Sequence, residues 1–247
     1  MVKNKIKIAL VGFGKMGKEI DALCRESENF EVVSTSYKNI NDSLDLEGIK
    51  KADVAIDFTS KDVALKNIEA VAKLGKNLIV GTTGWYEHLP EVKRMVEKYK
   101  IGLVYSPNFS VGANIFFKMV AFSSKLFSKF PDYDVYGMDI HHKGKLDSPS
   151  GTALKMAGEI MKNFPSKKSV LTEKPNGQIK LSELHLISIR AGRNPGFHEV
   201  VFDSQVDGIT LSHQAYNRTG FAKGALVAAE FIKNKKGIYS FEDIINL

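Results

Sequence analysis

The sequence is poor in cysteine, because Cys24 is the only one among 247 residues. A single thiol excludes a disulfide framework and a cysteine metal cluster within one chain. Cys24 falls with Met16, Ile20 and Leu23 on the apolar face of a predicted helix, so we expect a small buried hydrophobe at this position. The sequence predicts no bound metal.

Long hydrophobic runs are also missing. The most apolar stretch, residues 111–130, is interrupted by Asn114, Lys118, Lys125 and Lys129. It falls short of the unbroken apolar run that a membrane-spanning helix needs. The sequence opens with a strand pattern and shows no signal-peptide hydrophobic segment there. These absences predict a cytoplasmic protein without a membrane partner.

Acidic residues are fewer than basic ones, with 28 Asp and Glu against 35 Lys and Arg and a formal net charge of +7. The basic residues are scattered over many predicted elements rather than gathered in one run. We therefore expect no nucleic-acid partner, since a basic protein that binds anionic ligands explains the charge equally well. The hydrophobic content of 43% suits one large core or two modest ones.

A glycine-rich turn follows the first predicted strand, residues 6–11. It reads Gly12-Phe13-Gly14-Lys15-Met16-Gly17, which is G-x-G-x-x-G in its required context, after a strand and opening a helix. In such turns the first glycine permits a tight bend, the second lets the backbone approach a pyrophosphate, and the third lets helix and strand pack closely. The turn predicts a dinucleotide site, and a glycine-rich turn without a ligand is the alternative.

The second predicted strand, residues 31–35, lacks a carboxylate at its end. An NAD-selective site usually places Asp or Glu there, about 20 residues beyond the glycines, to bind the ribose. This chain has Ser36, Tyr37 and Lys38 instead. Ser36 and Lys38 could receive a 2′-phosphate, so we expect NADPH to be used at least as well as NADH. The alternative is that Lys38 is a solvated loop residue.

Strands and helices alternate through the first part of the chain, and three of the strands end in small polar residues. These strand ends are residues 57–60, 81–84 and 106–110. Ligands of a doubly wound parallel sheet lie outside the carboxyl ends of its strands, so the three loops are expected to form the wall of a cofactor cleft. The fold class is therefore predicted as α/β, with an N-terminal doubly wound parallel sheet of the Rossmann type.

The pattern changes after Ser110. A long apolar helix is followed by strand-like segments at 134–142, 184–190, 199–203 and 208–213. With one helix between them, they predict an α+β domain with a mainly antiparallel sheet. Residues 164–180 have the composition of a loop, and a helix at 219–233 is expected to return to the first domain. The predicted domains are 1–110 with 217–247, which bind the dinucleotide, and 111–216.

One segment of the second domain, residues 139–153, concentrates proton donors and positive charge. It reads DIHHKGKLDSPSGTA. His141 and His142 close a predicted strand and should point to opposite faces, so one can transfer a proton while the other orients or binds. Lys145 can hold a carboxylate or share the proton transfer.

The same segment ends in a turn that opens a helix. Ser150 or Thr152 can cap this helix, and its first amides, behind Gly151, form an anion site. Each feature taken singly is more often structural than catalytic: a satisfied histidine, a helix cap, a solvated lysine. Their compression into one segment favours a site for an anion undergoing proton transfer.

These motifs resemble the dihydrodipicolinate reductase family of bacterial lysine and diaminopimelate synthesis. The resemblance rests on the glycine loop, GTTG at 81–84, SPNFSVGAN at 106–114 and the 139–153 segment. It extends to DFTS at 57–60, RAG at 190–192 and SHQAYNRTGFAKGA at 212–225, and so covers essentially the whole chain. The family often has a basic residue or histidine where this chain has Gly144.

The resemblance implies roles for individual residues. The cofactor contacts would be Gly12, Phe13, Gly14, Lys15, Met16, Gly17, Gly81, Thr82, Thr83, Ser106, Pro107, Asn108 and Phe109. His141 would donate a proton with help from Lys145. The substrate carboxylates would be bound by His142, Lys145, Ser150, Gly151 and Thr152. The second domain would then be the substrate-binding and oligomerisation domain, since such enzymes are usually homotetramers built through its sheet.

The reaction implied is the reduction of 4-hydroxy-tetrahydrodipicolinate, a cyclic dicarboxylate, to tetrahydrodipicolinate with loss of water, using NADPH or NADH. One alternative is a related two-domain NAD(P)-dependent amino-acid dehydrogenase, which would share the glycine loop without needing the histidine-lysine segment. Another is a non-catalytic nucleotide sensor or nucleic-acid binder, which only the positive charge supports.

Overall fold

The computed structural model describes residues 4–37 and 43–245. It divides into two compact units, of which the first comprises Met1–Val111 and Arg218–Leu247 and the second Gly112–Asn217. The chain thus leaves the first unit once and later returns to it. Within the described ranges, no helix is long and apolar enough to cross a membrane.

The first unit is built on six parallel strands: β1 (Ile6–Val11), β2 (Phe30–Ser36), β3 (Val54–Asp57), β4 (Asn77–Val80), β5 (Gly102–Tyr105) and β11 (Gly237–Ser240). Their order in the sheet is β11-β5-β4-β3-β1-β2. The winding direction reverses between β1 and β3, and in doubly wound sheets a ligand crevice opens at such a reversal, beyond the carboxyl ends of the strands.

Helices cover both faces of this sheet: α1 (Lys15–Arg25), α2 (Leu46–Lys51), α3 (Lys61–Lys73), α4 (Leu89–Tyr99), α7 (Thr219–Ile232) and α8 (Phe241–Ile245), with a short 3₁₀ turn at Tyr86–His88. Every residue of β3 and β4 is buried, as is typical of parallel strands covered on both sides. Ile8 packs with Ala229 in one core and Ala9 with Ile68 in the other. The predicted Rossmann-type sheet is confirmed.

The carboxyl-terminal part of the first unit contains a strand that the sequence pattern did not predict. The helix expected at 219–233 is α7, and it packs on the first unit as expected. Beyond it, β11 pairs in parallel with β5, with Gly237 opposite Gly102. This four-residue strand is only half-buried, which explains why its sequence carries no clear apolar signal.

The second unit contains a five-stranded sheet of β6 (Asp134–His141), β7 (Ser169–Leu171), β8 (Glu183–Arg190), β9 (Phe197–Asp203) and β10 (Gly208–Gln214), in the order β10-β9-β6-β8-β7. The pairs β10–β9 and β9–β6 are antiparallel, whereas β6–β8 and β8–β7 are parallel. The sheet is therefore mixed, and the mainly antiparallel pairing predicted for it describes only half of its pairs.

The parallel half has a physical cause. Between β6 and the strands β7 and β8 the chain passes through α6 (Gly151–Asn163), and a helical crossover brings the next strand back parallel. The strand β7 itself lies within residues 164–180, which were predicted to be a loop. Its three residues are half-buried or exposed, so hydrophobic periodicity could not reveal it.

Among the described residues of the second unit, helices cover one face of its sheet. The helices α5 (Val111–Phe127) and α6 contribute Phe117 and Met156 to a core that also contains Val200 of β9. On the other face Tyr136 of β6 and Ile187 of β8 are each 45% exposed. Taken by itself, the described part of the second unit thus has a partly apolar sheet face that no helix of this unit covers.

Candidate active site

The glycine loop of the first unit has the geometry that its sequence predicts. Gly12 has a φ of +101°, and a Cβ atom there would lie 2.6 Å from the carbonyl oxygen of Phe58. A Cβ atom at Gly17 would lie 2.2 Å from the carbonyl oxygen of Gly12, whereas one at Gly14 would meet nothing within 4 Å. The first and third glycines are therefore required by packing, and the second faces open space.

The helix α1 starts at this open space. Gly14 is its N-cap residue and Lys15 is the first residue of the helix. The first amides of any helix lack partners within the helix, and together with the helix dipole they attract a phosphate. The open side of Gly14 is therefore a suitable place for the phosphates of a dinucleotide.

A cleft of about 520 Å³ lies beside this loop, at the carboxyl ends of β1, β3 and β4. It is lined by Lys15, Met16, Phe58, Thr59, Ser60, Lys61, Gly81, Thr82, Thr83 and Gly84. The cleft brings together Lys15, Met16 and the three predicted residues of the loop after β4. Lys61 was not predicted from sequence. One feature could have indicated it in advance: Lys61 is the first residue of α3 and directly follows the loop at the end of a strand.

A buried carboxylate ties the loops of this cleft together. Asp57 is fully buried at the end of β3. Its Oδ1 accepts hydrogen bonds from the hydroxyls of Thr59 (2.8 Å) and Thr82 (2.6 Å), and its Oδ2 accepts one from the amide of Asn67 (2.9 Å). Burial raises the pKa of Asp57, and these hydrogen bonds oppose the rise. The hydroxyl of Thr82 is therefore committed to Asp57.

The loop after β5 contributes less than predicted. Phe109 is 1% exposed and packs between Phe58 and Phe241, at ring distances of 6.1 and 5.0 Å. The Ser106 hydroxyl donates to the carbonyl oxygen of Asn108 (2.7 Å). Phe109 was predicted as a cofactor contact, but its side chain belongs to the core. Ser106, Pro107, Asn108 and Phe109 do not line the 520 Å³ cleft.

The end of β2 also corrects a prediction. Ser36 is 2% exposed, and its hydroxyl accepts a hydrogen bond from the amide of Asp45 (3.0 Å). Because Ser36 points into the fold, its side chain is not available to a 2′-phosphate. Lys38 lies outside the described residues, so the expected use of NADPH rests on Lys38 alone.

The second unit is centred on another buried carboxylate, Asp139 of β6, which is 0% exposed. Ser150 donates to it twice, through its hydroxyl (2.8 Å) and its amide (3.0 Å). Ser188 donates its hydroxyl (3.2 Å), and Nη2 of Arg190 lies 2.9 Å from Oδ2. Burial would raise the pKa of Asp139, but hydrogen bonds from His198, Ser150 and Arg190 outweigh it and hold that pKa well below its ordinary value.

His141 lies beside this carboxylate at the end of β6, where it is 7% exposed. Its Nδ1 is 2.8 Å from Oδ1 of Asp139 but forms no hydrogen bond with it. Burial lowers the pKa of His141 to about 4; Asp139 opposes this shift, and His198, Lys145 and Arg190 add to it. The imidazole of the free protein is therefore neutral near pH 7.

The residues that follow β6 are held close to its end. His142 lies just beyond the end of β6 and is half-buried, whereas His141 is buried, and the His142 amide donates to the carbonyl oxygen of Asn194 (2.8 Å). Nζ of Lys145 lies 2.8 Å from Oδ1 of Asp147. The hydrogen bond from Lys145 lowers the pKa of Asp147. Lys145 is thus paired with the carboxylate of a neighbouring residue of its own loop.

The start of α6 distinguishes between the two predicted capping residues. Ser150 is the N-cap, and its hydroxyl accepts a hydrogen bond from the amide of Ala153 (3.1 Å). Ser150 is 1% exposed and also bound to Asp139, so its side chain supports the site and is not free for a substrate. Gly151 is exposed and Thr152 half-buried, and as the first residues of α6 they present the helix amides.

Two more histidines join this cluster, and sequence reasoning missed both. His198 of β9 lies opposite Asp139 in the sheet, and His213 of β10 lies opposite His198. The His198 ring is 5.2 Å from that of His141 and 6.1 Å from that of His213. His213 ends a predicted strand and His198 directly precedes another, but only the register between distant strands brings them together.

Three side chains of the cluster have the spacing of a metal site. Ligand atoms of Asp139, His141 and His198 lie within 4.8 Å of one another. However, Arg190 is 2.9 Å from the same carboxylate, and its positive charge opposes a divalent cation at this position. The donor set fits an acid–base cluster better than a metal centre.

A glycine-loop cleft in one unit and an acid–base cluster in the other are the parts of a nicotinamide-dependent oxidoreductase. The cofactor of such an enzyme supplies the hydride, and the protein positions the reactants and controls protons. Comparison with known proteins agrees with this class. The family descriptions that match are dihydrodipicolinate reductase, N-terminus, over residues 6–109, and dihydrodipicolinate reductase, C-terminus, over residues 112–245.

Individual relatives match almost end to end. The 4-hydroxy-tetrahydrodipicolinate reductase of Christiangramia forsetii is 34% identical over 242 residues, which are 98% of each chain. That of Methanosarcina acetivorans is 38% identical over 93% of this chain and 88% of its own. A dipicolinate-bound dihydrodipicolinate reductase from Paenisporosarcina superposes with a TM-score of 0.80 and 27% identity, covering 98% of this chain and 100% of the other.

The chain belongs to the dihydrodipicolinate reductase family. This confirms the resemblance, the fold class and the NAD(P)H-dependent oxidoreductase class predicted from the sequence. The family and the fold imply a nicotinamide cofactor. They also decide against the amino-acid dehydrogenase and the nucleotide sensor.

The contrast between Gly14 and Gly17 gives a direct test of the glycine loop. We expect Gly14→Ala to fold normally, because its Cβ meets nothing within 4 Å, yet to weaken NADPH binding about tenfold or more by blocking close approach of the pyrophosphate. Gly17→Ala should lower the free energy of unfolding by about 1–3 kcal/mol, as overpacking does. Calorimetric titration with NADPH and thermal unfolding measure the two effects. Wild-type nucleotide affinity in Gly14→Ala would show that the phosphates bind elsewhere.

Proposed function

We propose that this chain reduces 4-hydroxy-tetrahydrodipicolinate to tetrahydrodipicolinate with NAD(P)H, with loss of water, in lysine and diaminopimelate synthesis. The observation that carries the proposal is the buried imidazole of His141, 2.8 Å from Asp139, within the segment on which the family resemblance rests. In overall balance, one hydride and one proton are added to the substrate and one water leaves. The cofactor supplies the hydride, so the protein must supply the proton.

The substrate's two carboxylates are proposed to bind beside His141. Lys145 offers a positive charge, and the exposed start of α6 at Gly151 and Thr152 offers amides. His142, half-buried next to His141, completes the set. The dipicolinate held by the Paenisporosarcina relative is also a cyclic dicarboxylate, which supports an anion of this shape for the second unit. We accordingly assign residues 111–216 to substrate binding and 1–110 with 217–247 to the cofactor.

His141 is proposed as the proton donor and Lys145 as its assistant. Because the pKa of His141 is about 4 in the free protein, the imidazole must gain its proton as the reaction begins. A bound dicarboxylate brings negative charge close to the ring, and negative charge favours the protonated form. Binding of the dicarboxylate would thus favour the protonated imidazole of His141, which is the proton donor that the reaction needs.

The first prediction for this function concerns His141 and Lys145. We expect the wild-type protein to oxidise NADH or NADPH when it is supplied with 4-hydroxy-tetrahydrodipicolinate, and His141→Gln to lower kcat by about 10² to 10⁴, the range for losing a positioned general acid. Lys145→Ala should raise KM as well as lower kcat. The fall in nucleotide absorbance measures both.

Lys143→Ala is the matched control, because Lys143 is an exposed lysine of the same loop without an assigned role. Full kcat in His141→Gln would exclude His141 as the donor. If the folded wild-type protein binds nucleotide but oxidises none, the substrate assignment itself is wrong.

We further propose that NADPH is used at least as well as NADH, through Lys38. A charged hydrogen bond to the 2′-phosphate contributes about 1.5–3 kcal/mol, so Lys38→Ala should raise KM for NADPH by about tenfold or more and leave KM for NADH unchanged. Lys50→Ala, which removes an exposed lysine of α2, is the control. A strong wild-type preference for NADH, or equal effects on both cofactors, would exclude this role.

The uncovered face of the second sheet supports a homotetramer. Tyr136 and Ile187 remain 45% exposed there in the single chain, and exposed apolar patches on sheets mark protein contacts. We expect light scattering to give the mass of four chains for the wild type and a smaller species for Ile187→Asp. Leu46→Asp, which places the same charge on an exposed leucine of the first unit, should leave the mass unchanged. A monomeric wild type would contradict the assembly.

A further inference from the structure

Arg190 is the last residue of β8, and its side chain is only 15% exposed. Nη2 lies 2.9 Å from Oδ2 of Asp139 and donates to the carbonyl oxygen of Asp147 at 2.7 Å. Nε donates to the same carbonyl oxygen at 3.2 Å. The guanidinium thus joins a carboxylate of β6 to the backbone of the loop that follows it.

Besides the carbonyl oxygen of Ile189, which Nη1 reaches at 2.9 Å, the two residues that the Arg190 guanidinium contacts are partners of proposed catalytic groups. Asp139 faces Nδ1 of His141 at 2.8 Å, and the side chain of Asp147 faces Nζ of Lys145 at 2.8 Å. One half-buried cation therefore bridges the residues that face the proton donor and its assistant. Arginine suits this position because its planar fork presents several donors in fixed directions.

The residues after Arg190 strengthen the same connection through the backbone. The amide of Ala191 donates to the carbonyl oxygen of His141 at 3.0 Å, and the amide of His142 donates to that of Asn194 at 2.8 Å. The RAG motif at 190–192 is part of the resemblance seen in the sequence, where it has no assigned role. Its residues hydrogen-bond to the start of the His141 to Lys145 segment and so help to fix that segment in place.

We propose that Arg190 is a positioning residue that fixes His141 and Lys145 relative to each other and neutralises Asp139 beside the proton donor. The proposal rests on the proposed function for the roles of His141 and Lys145. Its electrostatic part concerns Asp139 and His141 alone and can be tested without turnover.

The charges around His141 explain what neutralisation does. The titratable groups that face it are Asp139 on the same strand, His198 on β9, Lys145 in the loop and Arg190 on β8. Only Asp139 favours a protonated ring, and the ion pair with Arg190 offsets its charge. Without the guanidinium, an unbalanced carboxylate would remain 2.8 Å from the imidazole and would favour the imidazolium.

The test is a pH titration of His141 by NMR in the ligand-free protein, assigned by the signal lost in His141→Gln. In Arg190→Gln we expect the titration midpoint to rise by about one unit or more, the shift that an unbalanced neighbouring charge causes. The pH at which kcat/KM changes should rise with it. Since the loop also loses its anchor, kcat should fall about tenfold or more.

Arg190→Lys separates the two effects. It retains the charge, so the midpoint should stay within a few tenths of a unit of wild type, but it lacks the fork, so kcat should still fall. The control is Lys167→Gln, which removes another buried cation of the second unit, paired with Asp134 at the opposite end of β6. Lys167 is more deeply buried than Arg190, so Lys167→Gln should lose stability without moving the midpoint.

The proposal is overturned if Arg190→Gln is folded and its midpoint and pH profile match those of the wild type, because Arg190 would then be structural only. If Arg190→Gln does not fold, wild-type kcat in Arg190→Lys overturns the positioning role. If the wild type shows no turnover, the proposed function fails, and the NMR midpoints still decide the electrostatic part.

Discussion

The second unit depends on the burial of one carboxylate, Asp139. An ionised side chain that is fully removed from water is costly unless it is paired and hydrogen-bonded. Here the donors come from α6 through Ser150 and from β8 through Ser188 and Arg190, while His198 approaches from β9. Because these groups come from three different elements, α6, β8 and β9, the relative positions of those elements are set by the need to satisfy this one charge.

The first unit also contains a buried carboxylate that joins several elements, but its hydrogen-bond donors differ. Asp57, the last residue of β3, is likewise fully buried, but the donors around its side chain are neutral hydroxyls and amides. Without a cation, burial dominates and the pKa of Asp57 is raised, whereas that of Asp139 is lowered. Asp57 therefore serves to join the loops of a cleft, while Asp139 provides a fixed negative charge next to a base.

Sequence reasoning succeeded where local constraints determine structure. Gly12 and Gly17 are required by backbone contacts within one turn, and buried parallel strands have apolar runs. It failed where tertiary packing decides. Ser36 stands at the end of a strand and Phe109 in the loop after one, where ligand-binding residues are expected. Both side chains are nevertheless buried in the fold. Asp139 and Arg190 are 51 positions apart and come together only through the register between β6 and β8. That register cannot be predicted from the pattern of a single sequence.

The pairing of charges in the second unit suggests why an anionic substrate is needed to start the proposed reaction. Asp139 is balanced by Arg190, and Lys145 is occupied by Asp147, so the free cluster has little net charge acting on His141. A carboxylate that takes the place of Asp147 on Lys145 exchanges one ion pair for another, which costs little. Under the proposed function, a second carboxylate of the same molecule would add its charge to the field at His141. A dicarboxylate would then favour the protonated imidazole more strongly than a single carboxylate does.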